Sequence, residues 1–226
     1  MKARVPKRGI FPGAAIPGTL TNGPTWTTGR VGQALSFDGT NDYVNAGDAA
    51  SIGNTDMTMS FWIKPSVAVA SGLMYKGTTY AAANQDYYLY WFGTTQVQFG
   101  SSNGTTQTYA NFTNANLIVT GQWKYVVFVK TGTTGQFYSN GIYLGQITGL
   151  TSNVQDSAAP LIMGRDFITG INEFNGILDD VRIYNRALSA AEVTNLYQSG
   201  SAKINTSQNS KVTNGLVGLW SFDGAD

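Results

Sequence analysis

The side chains that most often run enzyme chemistry are missing from this sequence. It has no His and no Cys, which excludes the commonest general base, the commonest transition-metal ligand, the thiol nucleophile and the disulfide. Acid–base work would fall to carboxylates, and only two of these are Glu, Glu173 and Glu192. Glu173 stands alone, and Asp179 and Asp180 are adjacent, so an extended strand turns them to opposite faces. Ser and Thr are plentiful but have no evident base, and neither a phosphate-binding loop nor a dinucleotide fingerprint occurs. The expectation is a protein that binds without catalysing.

Two binding chemistries remain. Calcium takes hard oxygen ligands, and the run Asp38-Gly39-Thr40-Asn41-Asp42 offers three such side chains in five residues. Asp179, expected on the apolar face of its strand, and Asp223, near the C-terminus, complete a candidate set of Asp38, Asn41, Asp42, Asp179 and Asp223. The competing reading is structural: Asp38 and Asn41 close a turn, and Asp179 accepts backbone amides. The second chemistry is aromatic stacking on the apolar C–H faces of sugar rings. Tyr87, Tyr88, Tyr90 and Trp91 fall in one run, with Tyr80 and Tyr109 nearby. Alternation puts Tyr87, Leu89 and Trp91 on one face and Tyr88, Tyr90 and Phe92 on the other. One set is core and the other faces out, and alternation alone leaves open which. The candidate ligand residues are therefore Tyr88, Tyr90, Trp91 and Tyr109.

These side chains need a scaffold of short strands. Gly is frequent, 27 against 6 Pro, and Thr, Ser and Asn mark turns between alternating segments. Strands are predicted at 34–37, 42–44, 57–64, 87–92, 96–99, 123–130, 136–138, 142–146 and 177–184. Asn140-Gly141 is the strongest hairpin signal, because both central residues of a type I′ turn need positive φ. In the strand at 177–184, Ile177, Asp179, Val181 and Ile183 are expected on one face. One helix is legible at 190–198. Ser189 and Glu192 form a capping box, Leu188 and Val193 a hydrophobic staple, and Gly200 is the expected stop. Glu192 is thereby read as structural. The pattern predicts an all-β, two-sheet antiparallel sandwich or jelly roll with one short helix.

Composition narrows the partners. In 226 residues, 42% are hydrophobic, 12% aromatic and 12% charged, which favours one large folded β domain over disorder. A formal net charge of +1 argues against nucleic acid as the main partner. No stretch approaches the roughly 18 apolar residues of a membrane span. Lys2, Arg4, Lys7 and Arg8 open the chain, but Pro12 and Pro17 interrupt any apolar region, so no signal peptide is visible. Residues 1–17 read either as a flexible remnant or as a basic arm that docks on an acidic neighbour.

The runs at 18–47 (GTLTNGPTWTTGRVGQALSFDGTNDYVNAG), 57–65 (MTMSFWIKP), 121–129 (GQWKYVVFV), 137–145 (FYSNGIYLG) and 174–197 (FNGILDDVRIYNRALSAAEVTNLY) together resemble the laminin-G-like jelly-roll family. This is the bacterial branch of the concanavalin A-like lectin/glucanase superfamily, and the resemblance covers residues 18–198. It implies a two-sheet sandwich of the kind found in secreted adhesins, carbohydrate-active enzymes and surface or phage structural proteins, with calcium common near the rim. Glucanases of the superfamily carry a Glu-x-Asp-x-Glu strand motif, which does not occur here. The family usually opens with a strand of the type GLVGYWSFDG. Here a close copy, GLVGLWSFDGAD, stands at 215–226, after a polar linker at 199–214. Three explanations stand: a cut from a tandem array, a circular permutation in cis, or a strand donated to a neighbouring subunit. The apolar residues of that segment, Leu216, Val217, Leu219, Trp220 and Phe222, are the candidate assembly strand. Leu216, Trp220 and Phe222 are expected on one face, Val217 and Leu219 on the other. The resemblance points to a carbohydrate-binding or adhesion module of an extracellular or particle surface, whose partner is a glycan or surface polymer. The alternative is a structural subunit that self-associates through 215–226.

Overall fold

Alternating apolar side chains, interrupted by Gly and Asn turns, build fifteen strands and one α-helix among the described residues. The structure, a computed structural model, is described for residues 18–53, 56–166, 172–201 and 212–223. The basic arm expected at 1–17 and most of the expected linker lie outside them. The strands are β1 (Thr19–Thr21), β2 (Thr25–Thr28), β3 (Gln33–Asp38), β4 (Tyr43–Asn45), β5 (Met57–Pro65) and β6 (Ala70–Gly77). Then come β7 (Gln85–Phe92), β8 (Gln96–Ser102), β9 (Gln107–Thr113), β10 (Lys124–Thr131), β11 (Thr134–Ser139) and β12 (Ile142–Thr148). The last are β13 (Leu161–Met163), β14 (Asn175–Tyr184) and, after helix α1 (Ala190–Ser201), β15 (Leu216–Trp220).

All pairings are antiparallel. One sheet runs β1-β4-β13-β6-β7-β8-β9, the other β12-β11-β10-β5-β14-β3-β2 with β15 also on β14. Asn140 and Gly141 have φ of 53° and 78° and turn β11 into β12, as the type I′ signal requires. Between the sheets lies the main core, with Leu35, Phe37, Phe61, Trp91 and Leu178. Phe99 of one sheet stacks on Phe128 of the other with ring centroids 4.0 Å apart.

The outer face of the β5–β10–β11–β14 region is closed by α1. Trp62, Tyr125, Tyr138 and Tyr184 form a second apolar cluster with Val193 and Leu196 of the helix. The cap is the expected reciprocal pair: the Ser189 amide donates to Glu192 Oε2 at 2.9 Å, and the Glu192 amide to Ser189 Oγ at 3.3 Å. Glu192 also takes two hydrogen bonds from the Arg186 guanidinium, at 3.1 and 2.7 Å. The helix does not stop near residue 198. Gly200 lies within it, and a Cβ there would come 2.7 Å from Trp62 Nε1. Glycine is needed here for close packing on Trp62, not for a left-handed cap.

A second departure is in β14. A bulge between Asp179 and Arg182, with Asp180 at φ 47°, breaks the alternation. Leu178 rather than Ile177 therefore joins Val181 and Ile183 in the main core. Asp179 pairs with Trp62, which puts it on the helix-side face rather than in the inter-sheet core. The bulge also divides the partners of one edge of β14: β3 pairs with 175–178 and β15 with 181–184. The two strands thus lie end to end along a single neighbour. Trp220 and Phe222 are in the main core, at 0% and 1% exposure. A second bulge, between Ile183 and Tyr184, sends Val217 to the main core and Leu216 to the helix-side cluster, so Leu216 does not share a face with Trp220.

Candidate functional site

Among the described residues no helix lies over the outer face of β6–β9, and the register stacks aromatic side chains there in rows. Tyr75, Tyr88, Gly100 and Tyr109 are successive partners across the four strands. Gly100 leaves room for the Tyr88 ring, since a Cβ there would lie 2.1 Å from Tyr88 Cε1. The adjacent row is Gly72, Tyr90, Gln98 and Asn111. Gly72 is needed because the backbone at Arg165–Asp166 crosses it: a Cβ would meet the Asp166 amide nitrogen at 2.3 Å. This crossing brings Asp166 to the rows, and Tyr80, just after β6, donates to Asp166 Oδ2 at 2.9 Å.

Of these, Gly72, Tyr75, Tyr80, Tyr88, Tyr90, Gln98, Tyr109 and Asp166 line a cavity of about 300 Å³. Its wall is fixed by hydrogen bonds within the sheet. The Tyr88 hydroxyl donates to Gln98 Oε1 at 2.8 Å, Gln98 Nε2 to Asn111 Oδ1 at 2.9 Å, and the Tyr75 hydroxyl to Thr79 O at 2.6 Å. Asn172 Nδ2 gives Asp166 Oδ2 a second donor at 2.8 Å. Burial makes the Tyr75, Tyr80, Tyr88 and Tyr90 hydroxyls hold their protons well into the alkaline range. Burial pushes Tyr90 up to about 12, with the Asp166 charge adding to it, and the same two causes raise Tyr80 further. These four hydroxyls are therefore neutral at ordinary pH. Among the described residues, a second cleft of about 580 Å³, between Gly53, Asn103 and Asp156, has no aromatic lining.

Of the four aromatic residues proposed from the sequence, three meet here. Tyr109 is 62% exposed, and Tyr88 and Tyr90 line the cavity. Trp91 does not belong: it is 1% exposed in the main core, and its Nε1 donates to Thr94 O at 2.9 Å. Tyr87 and Leu89 point inward with it, so the outward set is Tyr88, Tyr90 and Phe92. Sequence reasoning missed Tyr75, Gln98 and Asp166. The first two follow from alternation once the outward face is known; Asp166 arrives through a long-range crossing that leaves no local signal.

The five oxygen ligands considered for calcium do not converge. Asp38 and Asp42 lie at one end of β3, where the Asp38 amide donates to Asp42 Oδ2 at 3.0 Å and the Thr40 amide to Asp38 Oδ1 at 2.8 Å. Asn41 is exposed in that turn, and its carbonyl accepts from Asn22. Asp179 and Asp223 lie at the other end. The Arg30 and Val31 amides donate to Asp179 Oδ2 at 2.7 and 2.8 Å, and the Gln33 amide to Asp223 Oδ1 at 3.2 Å. Among the described residues no three acidic side chains are grouped to hold a metal ion. The five therefore do not make one calcium site, and their oxygens serve the two turns that bracket β3. Asp179 Oδ1 is buried and has no hydrogen-bond partner among the described residues. That burial, above all, pushes the Asp179 carboxyl up to about 8, against the two amides that lower it.

A family model described as concanavalin A-like lectin/glucanases superfamily matches residues 38–194. No curated protein matches the sequence. Among solved structures, the chain is similar to domain 4 of AbnA, an extracellular arabinanase from Geobacillus stearothermophilus, solved in complex with arabinotriose. The TM-score is 0.63 at 20% identity, over 80% of this chain and 88% of that one. It is also similar to the heptameric SAP-like pentraxin of Limulus polyphemus, with a TM-score of 0.61 at 16% identity over 88% and 95%. The botulinum neurotoxin serotype G binding domain aligns with a TM-score of 0.60 at 13% identity, over 81% of this chain and 46% of that chain.

Proposed function

The chain belongs to the concanavalin A-like lectin/glucanases superfamily, and on that premise we propose that it is a non-catalytic carbohydrate-binding module of an extracellular or particle surface. The observation that carries the reading is the tyrosine-lined cavity on the outer face of β6–β9. Sugar rings stack on such faces through their C–H surfaces, and Tyr109 at the mouth is free to meet one. A similar fold was solved holding arabinotriose, which makes a short oligosaccharide a sensible first probe.

Binding without cleavage is supported by the carboxylates: among the described lining residues Asp166 is a single acid where glycoside hydrolysis uses a pair. Glu192 is committed to Arg186 and Ser189. Asp179 is 0% exposed beneath the Arg30–Val31 backbone, out of reach of a glycosidic bond. Among the described residues no helix is long and apolar enough to cross a membrane. A glycan array followed by calorimetry tests the proposal. The expected result is retention of at least one glycan class, with binding lost in Tyr109→Ala and no new reducing ends on prolonged incubation. Retention unaffected by Tyr109→Ala and Tyr90→Ala together would move the site elsewhere.

A second reading is a structural subunit that exchanges its C-terminal strand. What favours it is β15 itself, which brings Trp220 and Phe222 into the main core and, among the described strands, pairs with β14. The same contacts made between copies would link subunits into a pair or a chain. Concentration-independent monomers in sedimentation would remove this reading and leave the first untouched.

A further inference from the structure

The outer face that carries the cavity differs from one side to the other. Toward β6 it is crossed by the Arg165–Asp166 backbone, which lies so close over Gly72 that a Cβ there would meet it. Toward β9, at the end of that sheet's strand order, the side chains stand open. Tyr109, Asn111 and Thr113 alternate outward along β9 and are all exposed, with a step of ~7 Å from each to the next. Tyr109 lines the cavity, whereas Asn111 lies one step beyond the lining residues.

Asn111 is held at that step in one orientation. The Tyr88 hydroxyl has a single proton to place, in a side chain that is nearly buried, and gives it to Gln98 Oε1 at 2.8 Å. The Gln98 amide is thereby turned with Nε2 toward β9, where it donates to Asn111 Oδ1 at 2.9 Å. Gln98 and Asn111 are direct cross-strand partners, as are Gln98 and Tyr90 beside Tyr88, so the relay follows the sheet's own register. Reversing one amide alone would set like groups against each other. Reversing both would leave the Tyr88 proton without an acceptor, which is costly away from water. Asn111 therefore spends its carbonyl inward, and its Nδ2 donates to no described residue. Two hydrogens are left pointing off the sheet, one strand step from the exposed ring of Tyr109.

We propose that Asn111 is a second subsite of the ligand face: the cavity and the Tyr109 ring take one sugar unit, and Asn111 Nδ2 donates to hydroxyl oxygens of the next unit along β9. The ligand class is then a neutral oligosaccharide of two or more units. A neutral donor matches hydroxyl oxygens and brings no charge to offset the desolvation of a carboxylate. The proposal rests on the reading of this face as the ligand face and adds a length requirement and a named contact to it.

The test is calorimetric titration of the full chain with three neutral series, built on arabinose, xylose and glucose. Each is used as monosaccharide, disaccharide and trisaccharide, with a galacturonic acid dimer as the charged probe. In at least one series the disaccharide is expected to bind at least tenfold tighter than the monosaccharide. Asn111→Asp keeps an oxygen for Gln98 and removes both hydrogens, and Asn111→Ala removes the whole amide; each weakens the disaccharide at least tenfold. The position is exposed, so both variants should fold, with urea midpoints close to that of the parent. In a ¹⁵N-labelled sample the Asn111 side-chain amide signals shift on adding the disaccharide, a change that a purely structural role would not produce. A monosaccharide bound as tightly as its disaccharide, a disaccharide indifferent to either variant, or a preference for the uronic acid dimer overturns the subsite and leaves the glycan reading standing. Binding of none of the neutral series overturns it as well, and the glycan reading falls with it only if the glycan array is also blank.

Discussion

The two outer faces of the sandwich are built from the same kind of residue and come to opposite ends. On the sheet centred on β5, Trp62, Tyr125, Tyr138 and Tyr184 are sealed beneath α1. On β6–β9, Tyr88, Tyr90, Phe92 and Tyr109 have no helix above them among the described residues and instead wall a cavity. An aromatic residue on a strand is thus core or platform according to what the chain later lays over it. The covered face should govern stability and the open face recognition.

The largest expected effect is on the covered face. Trp62→Ala removes a ring that touches Tyr125 and Tyr197 and carries Arg30 at 5.2 Å, and it should cost about 3–5 kcal/mol in denaturant unfolding. Tyr109→Ala, on the open face, should change stability by less than about 0.5 kcal/mol while removing ligand binding. If the two variants were equally destabilised, the contrast between the faces would collapse. Gly200→Ala is intermediate. Its Cβ would crowd Trp62 Nε1 at 2.7 Å, so the helix must lift slightly, and a loss of about 1–2 kcal/mol is expected although Ala is the better helix former.

A pH series sharpens the comparison through the covered face's own carboxylate. The Asp179 carboxyl is pushed up to about 8, whereas in the unfolded chain it titrates near about 3.9. A raised folded value means the stabilisation is complete below pH ~4 and is lost as pH climbs through ~8. Asp179→Asn keeps an oxygen for the Arg30 and Val31 amides. It should therefore flatten the fall in melting temperature between those limits and be the more stable protein at pH 8. An unchanged slope in the variant would assign the pH dependence to other buried acids. Asp223 and Asp86 are the next to test, both raised chiefly by burial.

What could be read without coordinates was whatever local rules decide. The Asn140-Gly141 turn needs two positive φ values and the Ser189–Glu192 cap needs one spacing, and both stand where the sequence puts them. Alternation split the Tyr87–Phe92 run correctly into two faces. It could not say which faced out, because that depends on the other sheet and on where α1 comes to rest. The same limit applied to Trp91. The bulge at Asp179–Asp180 was invisible because any residue pair can be taken out of register when β3 and β15 compete for one edge of β14. Asp166 was invisible for a related reason: its place depends on Gly72, more than 90 positions earlier, having no side chain.

The head-to-tail arrangement of β15 and β3 along β14 has a practical side. The Asp223 carboxylate touches the Gln33 amide, and Gly18 lies against the Trp220 ring, so the described polypeptide departs close to where it enters. A unit of that shape can be spliced into a surface loop of a carrier protein without prising the loop apart. The tyrosine rows, which belong to the opposite sheet, would remain facing outward from the graft.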